Sequence, residues 1–592
     1  MSKQAWLSLP VLALCFAAFL GCPSASTDQP QQAATAPTAD GGESDTAKTM
    51  PPEIEAAPPE SKAGDVEEPA ERKPAAKTKL APGPAPAKPA LAESAAEKPA
   101  MAKPEAASPT VKQAAPVERN KKETDQPETE ADDNDPVKRN GEIFVGWEKP
   151  KLAVVLTGEQ LGYIEPCGCA GLENQKGGLR RRDTFLKLLA AQKWPTAALD
   201  NGGLIRRFGR QAEIKYEKTV EGLKIMNYRA VGFGADDLKL PTGSVVASVT
   251  NVDAFVSANV GLFLAPGEEG AFVPRYRILE VGGVKLGVTS VFGEAFQKQI
   301  NNDEIKFLAP EVAIRQILPE LKKAACDLLV LLSYASPEDT ELLVEQFPEF
   351  GAVVTAGGAD EPPYEPALAK NGKTLLIEVG HKGMYAIVLG LYDDEEQPLR
   401  YQRVPLDHRF KDSAEMDELM VNYQEQLKEL GWAGLGLRPA NHPRGKFIGS
   451  KACAECHQDA FDVWEGTTHA HATETLTKVK PPRQFDPECV SCHVTGWNPQ
   501  EFFPYVSGYE SLKTTPLLAG NGCENCHGPA AEHVAAENGG DEEQQIRFRE
   551  ALKLSLADKD DEESIRRSCM ECHDIDNSPD FNFKEYWPKV AH

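Results

Sequence analysis

The sequence predicts a multidomain chain: an α/β layered domain, then a mostly helical, loop-rich C-terminal domain, both set behind a long disordered linker. Three observations predict this. The 592 residues exceed what one apolar core can organise, so at least two folded bodies are expected. Prolines crowd into the first quarter, where large apolar side chains are scarce. The middle of the chain alternates apolar runs with amphipathic stretches, and its last quarter repeats one cysteine-histidine spacing. The formal net charge is -26. A surface this acidic repels phosphate backbones, which argues against nucleic acid as a partner.

Residues 1–22 read as a secretory signal: Lys3, an apolar run to Leu20, then Gly21 and Cys22. The Phe19-Leu20-Gly21-Cys22 stretch resembles a bacterial lipobox, although Phe19 stands where Leu is usual. That resemblance implies lipidation at Cys22 and a membrane anchor at the N-terminus; ordinary cleavage nearby would leave Cys22 a free thiol. Either route exports the chain, so a periplasmic or cell-envelope location is expected. Residues 23–145, rich in Pro, Ala, Glu and Lys, cannot bury enough surface to offset their ordering entropy. They read as a disordered linker, either a tether or a plain spacer.

Residues 146–408 carry the α/β pattern. Apolar runs at 151–156, 196–200, 230–233, 254–257, 285–291, 328–333 and 352–355 read as buried strands. Helical periodicity fills 179–192, 215–226 and 337–347 between them. Layered α/β domains place their chemistry in loops at the carboxyl ends of the strands. In one such loop, Glu165-Pro-Cys167-Gly-Cys169 sets two thiols close together. They would suit a soft metal such as Cu(I) or a redox-active disulfide, or else have no catalytic role and involve Cys326. A connector follows at 409–441, with Met416, Leu419, Tyr423, Leu427 and Leu430 on one helical stripe and Gly431 as a stop.

Residues 442–592 hold eight of the 13 cysteines and four of the 11 histidines in one repeated motif, Cys-x-x-Cys-His. It occurs at Cys453, Cys456 and His457; at Cys489, Cys492 and His493; at Cys523, Cys526 and His527; and at Cys569, Cys572 and His573. Two thiols at this spacing form thioethers with the vinyl groups of one haem c, and the adjacent imidazole becomes the proximal iron ligand. Zinc ribbons also use Cys-x-x-Cys pairs, but they do not require His after every second Cys. Disulfides are the other alternative in an oxidising compartment. The only Met after Met420 is Met570, inside a motif, so methionine is nearly excluded as the sixth ligand. The spare imidazoles are His442, His469, His471, His533 and His592, which predicts mostly bis-histidine, low-spin irons. A chain so short buries little on its own, and four porphyrins would supply the missing core.

Two resemblances follow from these residues. Gly449-Ser-Lys-Ala-Cys-Ala-Glu-Cys-His, Trp464 to His469, Cys489-Val-Ser-Cys-His-Val-Thr-Gly, Gly522-Cys-Glu-Asn-Cys-His-Gly-Pro and Asn577 to Phe583 resemble tetrahaem cytochromes of the c-554 type. The resemblance implies closely packed haem pairs that pass electrons, mostly bis-histidine ligation, and one iron that can remain five-coordinate. It implies His469, His533 and His592 as distal ligands, with His471 and His442 in reserve; Ala530 replaces a more usual Gly. The strand-loop order of 146–408 resembles the metallophosphoesterase fold of secreted nucleotidases. The family's two-metal ligands are missing, since Glu159-Gln-Leu161, Gly202-Gly203, Gly234-Ala-Asp-Asp237 and Tyr334 stand in their places.

These readings imply an electron-transfer protein with four covalent haems. Its partners would be redox proteins or quinol-linked electron donors, and a membrane reached through the lipid anchor. A multihaem oxidoreductase acting on a small nitrogen or sulfur species is the alternative. A third reading is hydrolysis that uses Asp200, Asp236 and Asp237 as substitute ligands.

Overall fold

The computed structural model describes residues 135–592 except 167, 169, 170, 173, 557 and 558. The signal segment, Cys22 and the Cys167/Cys169 pair lie outside the described residues. No helix among the described residues is long and apolar enough to cross a membrane.

Two sheets form the α/β part. The first runs in the order Leu399–Pro405, Tyr385–Leu391, Leu152–Thr157, Thr196–Asp200, Tyr228–Val231. The second runs Ala367–Leu368, Leu375–Glu378, Ala352–Thr355, Leu328–Tyr334, Val284–Phe292, Arg277–Val281. Strand Leu152–Thr157 pairs in parallel with Thr196–Asp200 and antiparallel with Tyr385–Leu391. Side chains alternate across each strand, and this alternation builds the layers. Leu152, Val154 and Leu156 meet Val288, Val330, Leu332 and Val354 of the second sheet in a dry inter-sheet core. Ala153 and Val155 face the other way, into a core with Leu179, Phe185, Tyr216, Val220 and Tyr423 from the covering helices. Helices Pro310–Lys323 and Pro337–Gln346 close the outer face of the second sheet through Ile314, Ile317, Leu321 and Leu343. The order is helix, sheet, sheet, helix, the α/β layering that the apolar runs predict.

Two stretches differ from expectation. Residues 254–257, read as a strand, form one isolated bridge between Val231 and Phe255. The segment leaves the edge of the first sheet there and reaches the second, where the Ala258 N–H donates to the Ser290 carbonyl at 2.8 Å. The linker, read as disordered to residue 145, is ordered from Asp135. Helix Pro136–Asn140 is tied down by Arg409, which donates to the Pro136 and Gly141 carbonyls at 2.9 Å each. Phe144 and Trp147 then pack on Phe185 and Trp194. These few aromatic side chains outweigh the composition of the stretch before them.

Helix Ala414–Gly434 covers helices 179–191 and 210–225 with Met416, Leu419, Tyr423 and Leu427 buried. It breaks at Gly431, whose φ of 59° and ψ of -179° suit glycine. Beyond it the chain becomes short helices and loops. Apart from that layer its apolar core is one small cluster: Phe447, Leu476, Val490, Val494, Trp497, Tyr509 and Leu518.

Candidate functional site

Each Cys-x-x-Cys-His motif lies on a helical turn. In the first and fourth, the histidine N–H donates to the first cysteine's carbonyl at 2.8 and 2.9 Å; the second lies on helix Pro487–His493 and the third on Cys523–His527. Positions i, i+3 and i+4 share a helix face, so both thiols and the imidazole point to one side. Thiols of different motifs also meet. Cys453 lies close enough to Cys523 for the two thiols to perturb each other, as do Cys492 and Cys572, which puts the first motif against the third and the second against the fourth.

Three of the spare histidines face motif histidines. The His457 and His533 ring centroids are 6.4 Å apart, those of His469 and His573 5.9 Å, and those of His527 and His592 5.9 Å. A metal–imidazole bond is about 2.0 Å, so with the ring depth on each side an ion held between two imidazoles sets their centroids about 6 Å apart. The three pairs therefore fit axial ligation of a haem iron, for which the porphyrin supplies the remaining four nitrogens. Hydrogen bonds on the far ring nitrogen fix the tautomers. Nδ1 of His493, His527 and His592 donates to the carbonyls of Ala472, Leu552 and Val590 at 2.8, 2.7 and 2.9 Å, leaving Nε2 as the ligating lone pair. Burial holds His469, His527 and His573 below the usual imidazole range, favouring the neutral form that a metal requires.

His442 and His471 are placed elsewhere. His442 packs on Phe447 and Tyr505 and accepts from the Arg444 N–H at 3.1 Å. His471 is exposed, with Nδ1 3.3 Å from Glu474. Among the described residues, no three or more of His, Cys, Asp and Glu gather as a metal site of their own.

At the strand ends of the α/β domain, the three candidate substitute ligands are already engaged. Asp200 is buried, accepts from Thr157 Oγ1 at 2.6 Å and lies 3.7 Å from the buried Arg182. Asp236 accepts from the Arg207 N–H at 3.1 Å and pairs with Lys239. Asp237 accepts four backbone N–H bonds, from Gly203, Leu204, Ile205 and Gly234, at 2.8–3.2 Å. Burial nevertheless pushes its carboxyl up to about 6. The structure therefore does not assemble these three aspartates into a metal centre. In the adjoining loops, Glu159 lies 2.9 Å from His381 Nε2, and His381 Nδ1 lies 2.7 Å from Asp360. Cys326 is a half-buried free thiol beyond helix Pro310–Lys323, raised above its ordinary pKa by burial.

The seam between the two regions went unread in the sequence. Lys215 Nζ donates to Glu488 Oε2 at 2.7 Å, and Gln211 and Gln424 donate to the buried Asp486, which caps the second-motif helix. Tyr163 donates to Asp576 at 2.9 Å, Lys382 pairs with the same carboxylate, and Arg483 pairs with Glu165. Asn174 donates to Asp580 at 2.7 Å, and the Arg207 guanidinium lies 3.9 Å over the Phe502 ring. The carboxylates just before the second motif were the available signal, together with a lysine on the buried face of a predicted helix.

Known proteins bear on both regions. Residues 452–528 match the family described as cytochrome c554 and c-prime, a span that includes the first three motifs. The C-terminal region resembles cytochrome c-554. The curated cytochrome c-554 of Nitrosomonas europaea is 29% identical over 140 residues, covering 22% of this chain and 57% of its own length. The present chain thus spans little more than half of that relative. Among solved structures, a 5'-nucleotidase precursor from Thermus thermophilus is 18% identical with a TM-score of 0.41, over 47% of this chain and 59% of that one. The sulfate thiohydrolase SoxB of the same species is 12% identical with a TM-score of 0.41, over 48% and 62%. The calcineurin-like phosphoesterase YfkN from Bacillus subtilis is 13% identical with a TM-score of 0.37, over 46% and 97%.

Proposed function

We propose that this chain is an exported multihaem c-type cytochrome that carries four covalent haems and transfers electrons in the cell envelope. The observation that carries the reading is the three facing histidine pairs, each joining a motif imidazole to one from a distant segment. Bound haem would supply reversible one-electron chemistry at iron. The chain's own residues attach it through paired cysteines, present neutral Nε2 atoms, and exclude water by burial. The meeting of first with third and second with fourth motifs supports close pairs, the arrangement that hopping requires. Redox proteins or quinol-linked donors would be the partners, and a lipid on Cys22 would hold the chain to a membrane. Pyridine-haemochrome assay of protein matured in a haem-ligating host is expected to give four haems per chain. A colourless, zinc-containing product would overturn the proposal.

The iron that His493 would hold decides between relay and enzyme. Four low-spin, six-coordinate irons by electron paramagnetic resonance favour electron transfer. A high-spin signal, shifted by a small nitrogen or sulfur ligand, favours an oxidoreductase.

A further inference from the structure

The seam is rich in charge, and most of that charge is matched. Lys215 meets Glu488, Lys382 meets Asp576, and Arg483 meets Glu165. Two cations are not matched. Arg206 and Arg207 follow one another in the loop after strand Thr196–Asp200, and among the described residues no carboxylate lies within ion-pair distance of either guanidinium. Arg206 is exposed. Arg207 is half-buried against Phe502, and desolvation lowers its pKa, as for a cation short of a counter-ion. Unmatched neighbouring guanidinium groups repel one another, and they are unexpected in a chain with a net charge of -26.

Their surroundings point to the missing anion. Glu488, whose field reaches Arg207, immediately precedes Cys489 of the second motif. Phe502 lies on the loop just after that motif, where Gln500 donates to the Glu571 carbonyl of the fourth. Arg207 therefore borders the second motif, and Arg206 next to it acts on Tyr163, which donates to Asp576 just past the fourth motif. Every haem c bears two propionate carboxylates, and the planar guanidinium fork matches a carboxylate bidentately.

We propose that Arg206 and Arg207 are the counter-ions of haem propionates in the pair formed by the second and fourth motifs. The α/β domain then completes that haem site and sets its potential. This rests on the cytochrome reading above. A nearby cation disfavours ferric over ferrous iron, so its removal lowers the midpoint potential.

The test is stepwise reductive titration of the full-length holoprotein beside the Arg206→Ser/Arg207→Ser variant, with haem counted in both. The expected result is four haems in each, with one or two midpoints more negative in the variant. A tenfold change in the ferric-to-ferrous ratio corresponds to about 59 mV for one electron. The shifted midpoints should also gain a pH dependence near neutrality, because a propionate without its partner titrates closer to that range; a purely structural role would not add this slope. Arg206→Lys/Arg207→Lys should restore most of both effects. If the serine variant matures poorly, Arg206→Ser alone carries the same comparison, because that side chain is exposed. Four unchanged midpoints in a four-haem variant overturn the proposal and leave the cytochrome reading intact. Absence of covalent haem in the unaltered protein overturns the cytochrome reading instead.

Discussion

The α/β region and the motif-bearing region solve the same problem with different materials. The first closes three apolar clusters from its own side chains and those of the connector helix, with strands such as Leu152–Thr157 buried along their whole length. The second, a shorter run of chain, has one cluster of seven buried residues, and helices Gln458–Glu465 and Glu542–Leu552 bury none of theirs. Helices without a buried face do not persist on propensity alone. By that measure the polypeptide of the C-terminal region has too little core of its own, which is what the proposed haems would supply.

Withholding haem is the most severe test of this contrast. Protein made without haem ligation should lose protease resistance and helical signal beyond residue 442, while a fragment spanning the two sheets survives limited digestion. Equal resistance on both sides would refute the contrast. Asp237→Ala comes next, because it strands four buried N–H donors and should cost the α/β domain about 3 kcal/mol or more in denaturant titration, with the haem count unchanged.

The same residue gives a pH test. Its carboxyl titrates at about 6 when folded against an ordinary 3.8, so between these values the folded chain holds a proton that the unfolded chain has lost. Stability contributed by that proton is complete below pH 4 and declines as pH rises through 6, by up to about 3 kcal/mol. Asp237→Asn should flatten this slope in urea melts.

Smaller effects probe the boundary between the regions. Lys215→Ala should loosen the seam by about 1 kcal/mol, because Glu488 is partly solvated and screened, and a double-mutant cycle with Glu488→Gln measures the coupling. On the cytochrome reading, His533→Ala should leave the global melting point nearly unchanged while one iron turns high-spin in the resonance spectrum. Conversion of two irons would mean that the pairing with His457 is wrong.

Much of this was legible because it is local. Runs such as Thr196–Asp200 and Ala352–Thr355 reveal strands directly, since burial on both faces leaves no polar interruption. Fixed spacing likewise marks Cys453 to His457 and its repeats. Which strands share a sheet was not legible: Tyr385–Leu391 returns across the whole domain to pair with Leu152–Thr157, and apolar content does not specify that partner. Facing histidines are equally non-local, as with His469 and His573. The seam was hidden for a different reason. Lys215 and Asp486 are ordinary surface residues by type, yet both are buried where the two regions meet.

The thiol contacts interleave, first with third and second with fourth, so neither pair is contiguous along the chain. As the polypeptide is made, amino end first, the opening motif must wait for the third, and the second must wait for the fourth. Biogenesis therefore cannot finish one couple before starting the other. A chain cut short after Leu552 would leave Cys492 without its neighbour, however well its upstream sheets had folded.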